Sequence, residues 1–109
     1  MTKTPIDNPV ANLELLWLRK DDTETSITAK VGRPYKIDDV NWRCPCELLG
    51  VDSKYPDISG AGSMQALGSA LSLIKMRLGH LVEDGEKLYF AAERETILDQ
   101  AFLDATFGK

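Results

Sequence analysis

Two thiols, one imidazole and a few groups of carboxylates are the side chains in this sequence that could do chemistry. Cys44-Pro45-Cys46 sets the thiols two residues apart. On a regular strand they point the same way, and two thiolates are half of a tetrahedral zinc set. His80 is the only further nitrogen ligand, so a fourth would have to be a carboxylate such as Asp52 or Asp57. Without a second cysteine pair, the spacing favours two small core residues over a metal centre. A disulfide between same-face strand neighbours is strained, and no helix N-terminus is expected beside them to lower a thiol pKa. His80 falls near a helix end, where the dipole favours a cation. Nothing spaced around it supplies a nucleophile or an orienting acid. No catalytic residue, metal or cofactor is therefore assigned, and an enzyme is not expected.

The remaining candidates have plainer readings beside the chemical ones. Asp21-Asp22 and Asp38-Asp39 lack the alternating oxygen spacing of a calcium loop and read as turn residues. Gly60-Ala61-Gly62-Ser63 precedes a helix but carries neither the phosphate-loop lysine nor a dinucleotide fingerprint. It reads as a flexible helix entry. If a small anion binds anywhere, the backbone amides of Gly62, Ser63 and Met64 are the place. Trp42 reads as core. Arg43 faces the other way, where an exposed arginine would pair with an acid.

Charge gives the strongest functional hint. The 109 residues carry a net charge of −4, and the sequence pI is about 4.9. Residues 83–109 hold seven acids (Glu83, Asp84, Glu86, Glu93, Glu95, Asp99, Asp104) against three bases, so the excess sits in the last quarter. Such a surface repels phosphate backbones, which argues against a nucleic-acid partner. It suits a basic protein partner. No apolar run approaches the roughly 20 residues that span a bilayer. The first residues lack the apolar core of a signal peptide, and two close cysteines are no disulfide framework. A cytoplasmic protein with no membrane contact is expected.

These groups must be positioned by one domain, because 109 residues fill one core and not two. Residues 1–11 read as a loose lead-in. Leu13–Arg19 and Thr25–Val31 alternate as an antiparallel hairpin, with Ile27, Ala29 and Val31 on one face. A third strand is expected over Val40–Gly50, with Pro45 marking an edge or a bulge. A polar loop follows over residues 52–61. Leu67, Leu71, Ile74, Leu78 and Leu81 recur at helical spacing over Ser63–Glu83, widened by Met64 and Leu73. Ser63 is placed to cap that helix and Asp84-Gly85 to stop it. Gly79 inside it suggests a close packing contact. Lys87–Phe90 reads as a fourth short strand and Glu93–Ala105 as a second helix. The expected fold is α+β: an antiparallel meander of three to four strands, packed by one long amphipathic helix, with a second helix at the C-terminus.

Val31-Gly32-Arg33-Pro34, Trp42-Arg43-Cys44-Pro45 and Gly62-Ser63-Met64-Gln65-Ala66-Leu67 occur in that order. Together with the helix that follows, they resemble an uncharacterised bacterial family of small proteins, a domain of unknown function, over about residues 31–78. Cys46 and the loop from Asp52 to Ile58 are the variable parts. The resemblance implies a bacterial source and a shared fold, and brings no activity or site residue with it. The functional expectation is a non-catalytic interaction protein, in its most concrete form an immunity protein that blocks a basic toxin through the C-terminal acids. The alternatives are a small-molecule or metal-binding domain using Cys44, Cys46, His80 or the helix entry, and a homodimer formed through a sheet edge near Pro45.

Overall fold

The computed structural model describes residues 3–52 and 55–108. The strands are β1 (Ala11–Leu18), β2 (Glu24–Val31), β3 (Tyr35–Lys36), β4 (Asn41–Cys44), β5 (Cys46–Leu49), β6 (Ile58–Ala61) and β7 (Lys87–Phe90); the helices are α1 (Ser63–Glu83) and α2 (Gln100–Phe107). The chain is α+β, with a long helix across an antiparallel sheet. Its strands divide between two sheets, in the orders β5-β2-β1-β7 and β3-β4-β6.

The hairpin β1–β2 seats Leu15 opposite Ile27 and Leu13 opposite Ala29, and β7 adds Phe90 beside Leu15. One face of the larger sheet therefore collects Leu15, Ile27, Ala29, Val31, Leu48 and Leu88, all buried. Against it lies α1, burying Ala66, Ala70, Ile74, Leu78 and Leu81. Spacings of four and three residues keep these on one helical stripe. Leu67, Leu71 and Leu73 pack at its margins, but Met64 is 87% exposed and takes no part. No helix among the described residues is long and apolar enough to cross a membrane.

Pro45 does more than mark an edge. The expected single strand over Val40–Gly50 is broken there, and its halves belong to different sheets: β4 pairs with β3 and β6, β5 with β2. A residue without an N–H suits a point where the ladder stops, and its carbonyl accepts from Gly32 N–H at 2.9 Å. The stretch expected as a polar loop contains β6. That strand lies so close to α1 that a Cβ on Gly60 would stand 2.4 Å from Ala66 N.

Both ends of α1 are set by glycine. Gly62, with φ of 90°, occupies the N-cap, and Ser63 makes no side-chain cap. Gln65 instead folds its carboxamide oxygen back to accept from Ala61 N–H. At the other end Gly85 has φ of 81°. The bonds Glu86 N–H to Leu81 O and Gly85 N–H to Val82 O close a Schellman motif.

Residues 3–10 are not a loose lead-in, and residues 1 and 2 of the expected one lie outside the described residues. Ile6 is buried and Val10 N–H donates to Val31 O. Thr4 gives both its N–H and its hydroxyl to Asp57, at 3.0 and 2.6 Å, so residues 3–10 form a strap. The second helix begins later than the spacing predicts. Residues 93–99 are irregular, Asp99 caps α2 by accepting from Phe102 N–H at 2.9 Å, and Ile97 is exposed. Thr96 O and Leu98 N–H bond to Phe90 and Leu88, covering the free edge of β7.

Candidate functional site

The residues singled out in the sequence are scattered. Cys44 and Cys46 are fully buried at the junction of the two sheets. Burial, with the Asp57 charge adding to it, pushes the Cys44 thiol up to about 11. Burial also raises Cys46 to about 11; the Lys3 charge opposes it, while Cys44, Asp57 and Glu47 reinforce it. At pH 8 only about one such thiol in a thousand is ionised, and the thiolate is the reactive form. Alkylation of the folded chain at pH 8 is therefore expected to run at least about a hundredfold slower than in denaturant. Equal rates, followed by mass spectrometry, would show the thiols to be accessible.

His80 lies far along α1 from those thiols and is exposed. Among the described residues no three His, Cys, Asp or Glu side chains are grouped to hold a metal. Arg77 approaches His80 Nδ1 to 3.0 Å. A guanidinium only donates, so Nδ1 is the acceptor and the ring proton sits on Nε2. The same Arg77 forks onto Asp52, with Nε–Oδ2 at 2.7 Å and Nη2–Oδ1 at 3.0 Å, and Tyr55 donates its hydroxyl to Asp52. The Arg77 bonds hold the Asp52 carboxyl below its usual range despite some burial. This chain of groups is a strut between α1 and the segment before β6. The two carboxylates weighed as partners of the cysteines are engaged elsewhere: Asp52 serves the strut and Asp57 holds the strap.

The acid pairs sit in turns. Asp38 accepts from Val40 N–H, Asn41 N–H and the Asn41 carboxamide, and the Asn41 bonds bring it down to about 2. Asp21 accepts from Thr23 N–H and Oγ1, next to Asp22 with φ of 66°. At the helix entry, Gly62 N–H is already given to Val40 O. Ser63 and Met64 are exposed, so one of the three amides marked for an anion is occupied. Trp42 packs against the core and Arg43 is half-buried, opposite Tyr35.

The seven C-terminal acids fall into different settings. Asp99 caps α2 and Asp104 pairs with Lys75 at 3.0 Å, so these two serve the fold. Glu86 is half-buried, and one of its carboxylate oxygens is buried with no hydrogen-bond partner among the described residues. Glu83, Asp84, Glu93 and Glu95 are exposed, and no side chain among the described residues bonds to them.

One feature was not foreseen. Between α1 and α2 runs a groove of about 380 Å³. Met76, Gly79 and Phe107 line its apolar part; His80, Glu83 and Gln100 line its polar part. Lys75 also borders it, but its ammonium is taken by Asp104 and by Gly108 O. The groove stays open because position 79 has no side chain. A Cβ there would lie 3.8 Å from Gln100 Oε1 and 4.0 Å from Leu103 Cδ1, in ordinary contact with α2. A glycine inside a helix costs about 1 kcal/mol against alanine, so it was the one visible sign of a feature on this face.

A family model described as a domain of unknown function (DUF6968) matches residues 14–98, taking in both sheets and α1 and ending before α2. No curated protein and no solved structure matches the chain.

Proposed function

We propose that this chain, which belongs to the DUF6968 family, is a non-catalytic protein-binding module that receives a basic partner on the exposed carboxylates of its last quarter. What supports the reading is a division of labour among the polar groups. The thiols are buried and Asp52, Arg77 and Asp57 are bonded inside the fold, whereas Glu83, Asp84, Glu93 and Glu95 face solvent with no side-chain bond among the described residues. Exposed charge of one sign speeds encounter with the opposite sign and contributes little to folding. The concrete form we propose is a bacterial, cytoplasmic immunity protein that covers a basic toxin domain.

The test uses the full chain and the purified product of the gene beside its own. Reversal of Glu83, Glu93 and Glu95 to lysine is expected to slow association by about tenfold or more at low salt, with the melting temperature held. Asp99 and Asp104 are left alone because their loss would loosen α2. Unchanged association would remove these carboxylates as the docking surface. A neighbouring product that is neither toxic nor bound would remove the immunity reading.

A further inference from the structure

We infer that the groove between α1 and α2 is an anchor pocket for one lysine or arginine side chain of a partner protein. The inference rests on the basic-partner reading and gives it a specific contact. Ser72, Met76, Gly79, His80 and Glu83 follow one another along a single stripe of α1, because helical neighbours recur every three or four residues. From Ser72 to Glu83 that stripe is about 16 Å long at 1.5 Å per residue, enough for one long side chain and the backbone that carries it.

The chemistry along the stripe is graded. Gly79, Met76 and Phe107 offer an apolar bed for an aliphatic stem. Long cationic side chains cover apolar surface with their stems and keep the charged head among polar groups. At the polar end the open acceptors are Gln100 Oε1 and the Glu83 carboxylate, which has no side-chain bond among the described residues. The carboxamide nitrogen of Gln100 is already given to Asp104 at 3.1 Å, so its oxygen is the free end. The Lys75 ammonium would repel a cation, but Asp104 neutralises it. Arg77, a further cation on α1, is neutralised by Asp52. Among the described residues, the unpaired charge lining the groove is thus the carboxylate of Glu83. His80 Nε2–H remains to donate to a backbone carbonyl of the incoming segment. An anionic ligand would meet Glu83 with no free cation among the described residues to offset it, and a purely apolar one would leave that carboxylate desolvated.

The probe is an acetylated, amidated Gly-Arg-Gly peptide, titrated into the full chain and followed by amide proton–nitrogen correlation spectra. Saturable shifts are expected at Gly79, Glu83, Gln100 and Gly108. The isosteric citrulline peptide, equal in shape but uncharged, should bind at least about fivefold more weakly. Gly79→Leu should fill the groove and weaken the arginine peptide about tenfold or more while leaving the melting temperature no lower, since leucine favours the helix. Glu83→Gln should weaken it with the groove still open. Absence of shifts, shifts elsewhere, equal binding of citrulline, or full binding by a folded Gly79→Leu chain each overturns the pocket. The two proposals fail separately. If charge reversal abolishes partner binding and Gly79→Leu leaves it intact, the pocket falls and the acidic surface stands. If neither change affects the partner, the surface falls, and the peptide titration still decides the pocket by itself.

Discussion

Replacing Gly60 by alanine is expected to destabilise the chain by about 2–3 kcal/mol, a drop of roughly 10–15 °C in melting temperature. The added Cβ would stand 2.4 Å from Ala66 N, 2.7 Å from Ala66 Cα and 2.8 Å from Gln65 C. These are backbone atoms of the first turns of α1, and they cannot swing aside as a side chain can. Relief requires β6 and the helix to part, along the contact that joins the smaller sheet to the rest of the core. Gly68, eight residues on and inside the same helix, gives the opposite forecast. Nothing lies within 4 Å of its absent Cβ, so Gly68→Ala should stabilise by about 0.5–1 kcal/mol through helix propensity and a less flexible unfolded chain. Thermal melts of the two variants decide the matter. A neutral Gly60→Ala would show that β6 and α1 are not held at this separation.

The second large effect is expected at Asp57. It is 8% exposed and accepts from Thr4 N–H, Thr4 Oγ1 and Tyr35 OH, the last at 2.6 Å. Asp57→Ala leaves these donors without their acceptor and should cost about 3 kcal/mol. The strap then loses its main tie. Exchange at the Val10 amide, which bonds to Val31 O, should quicken. Because Lys3 bonds to Cys46 O from the same strap, Cys46 should also alkylate faster. Burial alone would raise the Asp57 carboxyl. The Thr4 and Tyr35 bonds and the Lys3 charge outweigh it, so the value is lowered. A carboxylate with a lowered folded-state pKa stabilises above its unfolded value near 3.9, and that contribution disappears as pH falls through the folded-state value. The gap in stability between the wild type and Asp57→Ala should therefore be full at pH 7 and narrow below about pH 4. Asp38 and Asp52 titrate in the same acid range in both proteins, and the difference between the curves cancels them. A gap that stays constant with pH would show that Asp57 is not bonded as an anion.

What could be read from the sequence was what local pattern determines. The hairpin β1–β2 and the whole of α1 follow from periodicity, and β7 from a short run between turn signals. The misses each have a distant cause. β6, Ile58-Ser59-Gly60-Ala61, shows little alternation because its glycine is dictated by the approach of α1, and such a strand reads as a loop. The strap is polar and proline-bearing by composition; it is ordered by Asp57, more than fifty residues away. The start of α2 was misplaced because Ile97 and Leu98 fit a helical spacing that continues to Phe102, while the Asp99 side chain sets the boundary. Ser63 was the better cap by residue type, yet the positive φ needed at the turn selected Gly62. The free acids were legible as a charge excess, but which of them the fold would consume was not. The groove was legible only as an unexplained glycine.

The pairing of β1 with β7 bears on how the chain can be made. Leu15 finds Phe90 only after the intervening strands and α1 have been synthesised. At about 5–20 residues per second, that interval is on the order of ten seconds, while a hairpin such as β1–β2 closes in microseconds. For nearly all of that time a finished hairpin carries Leu13, Leu15 and Trp17 beside an unpaired edge. Such an edge invites strands from other chains. β7 thus serves as a clasp that closes late, and any truncation before Lys87 should yield a product that aggregates rather than a smaller soluble domain.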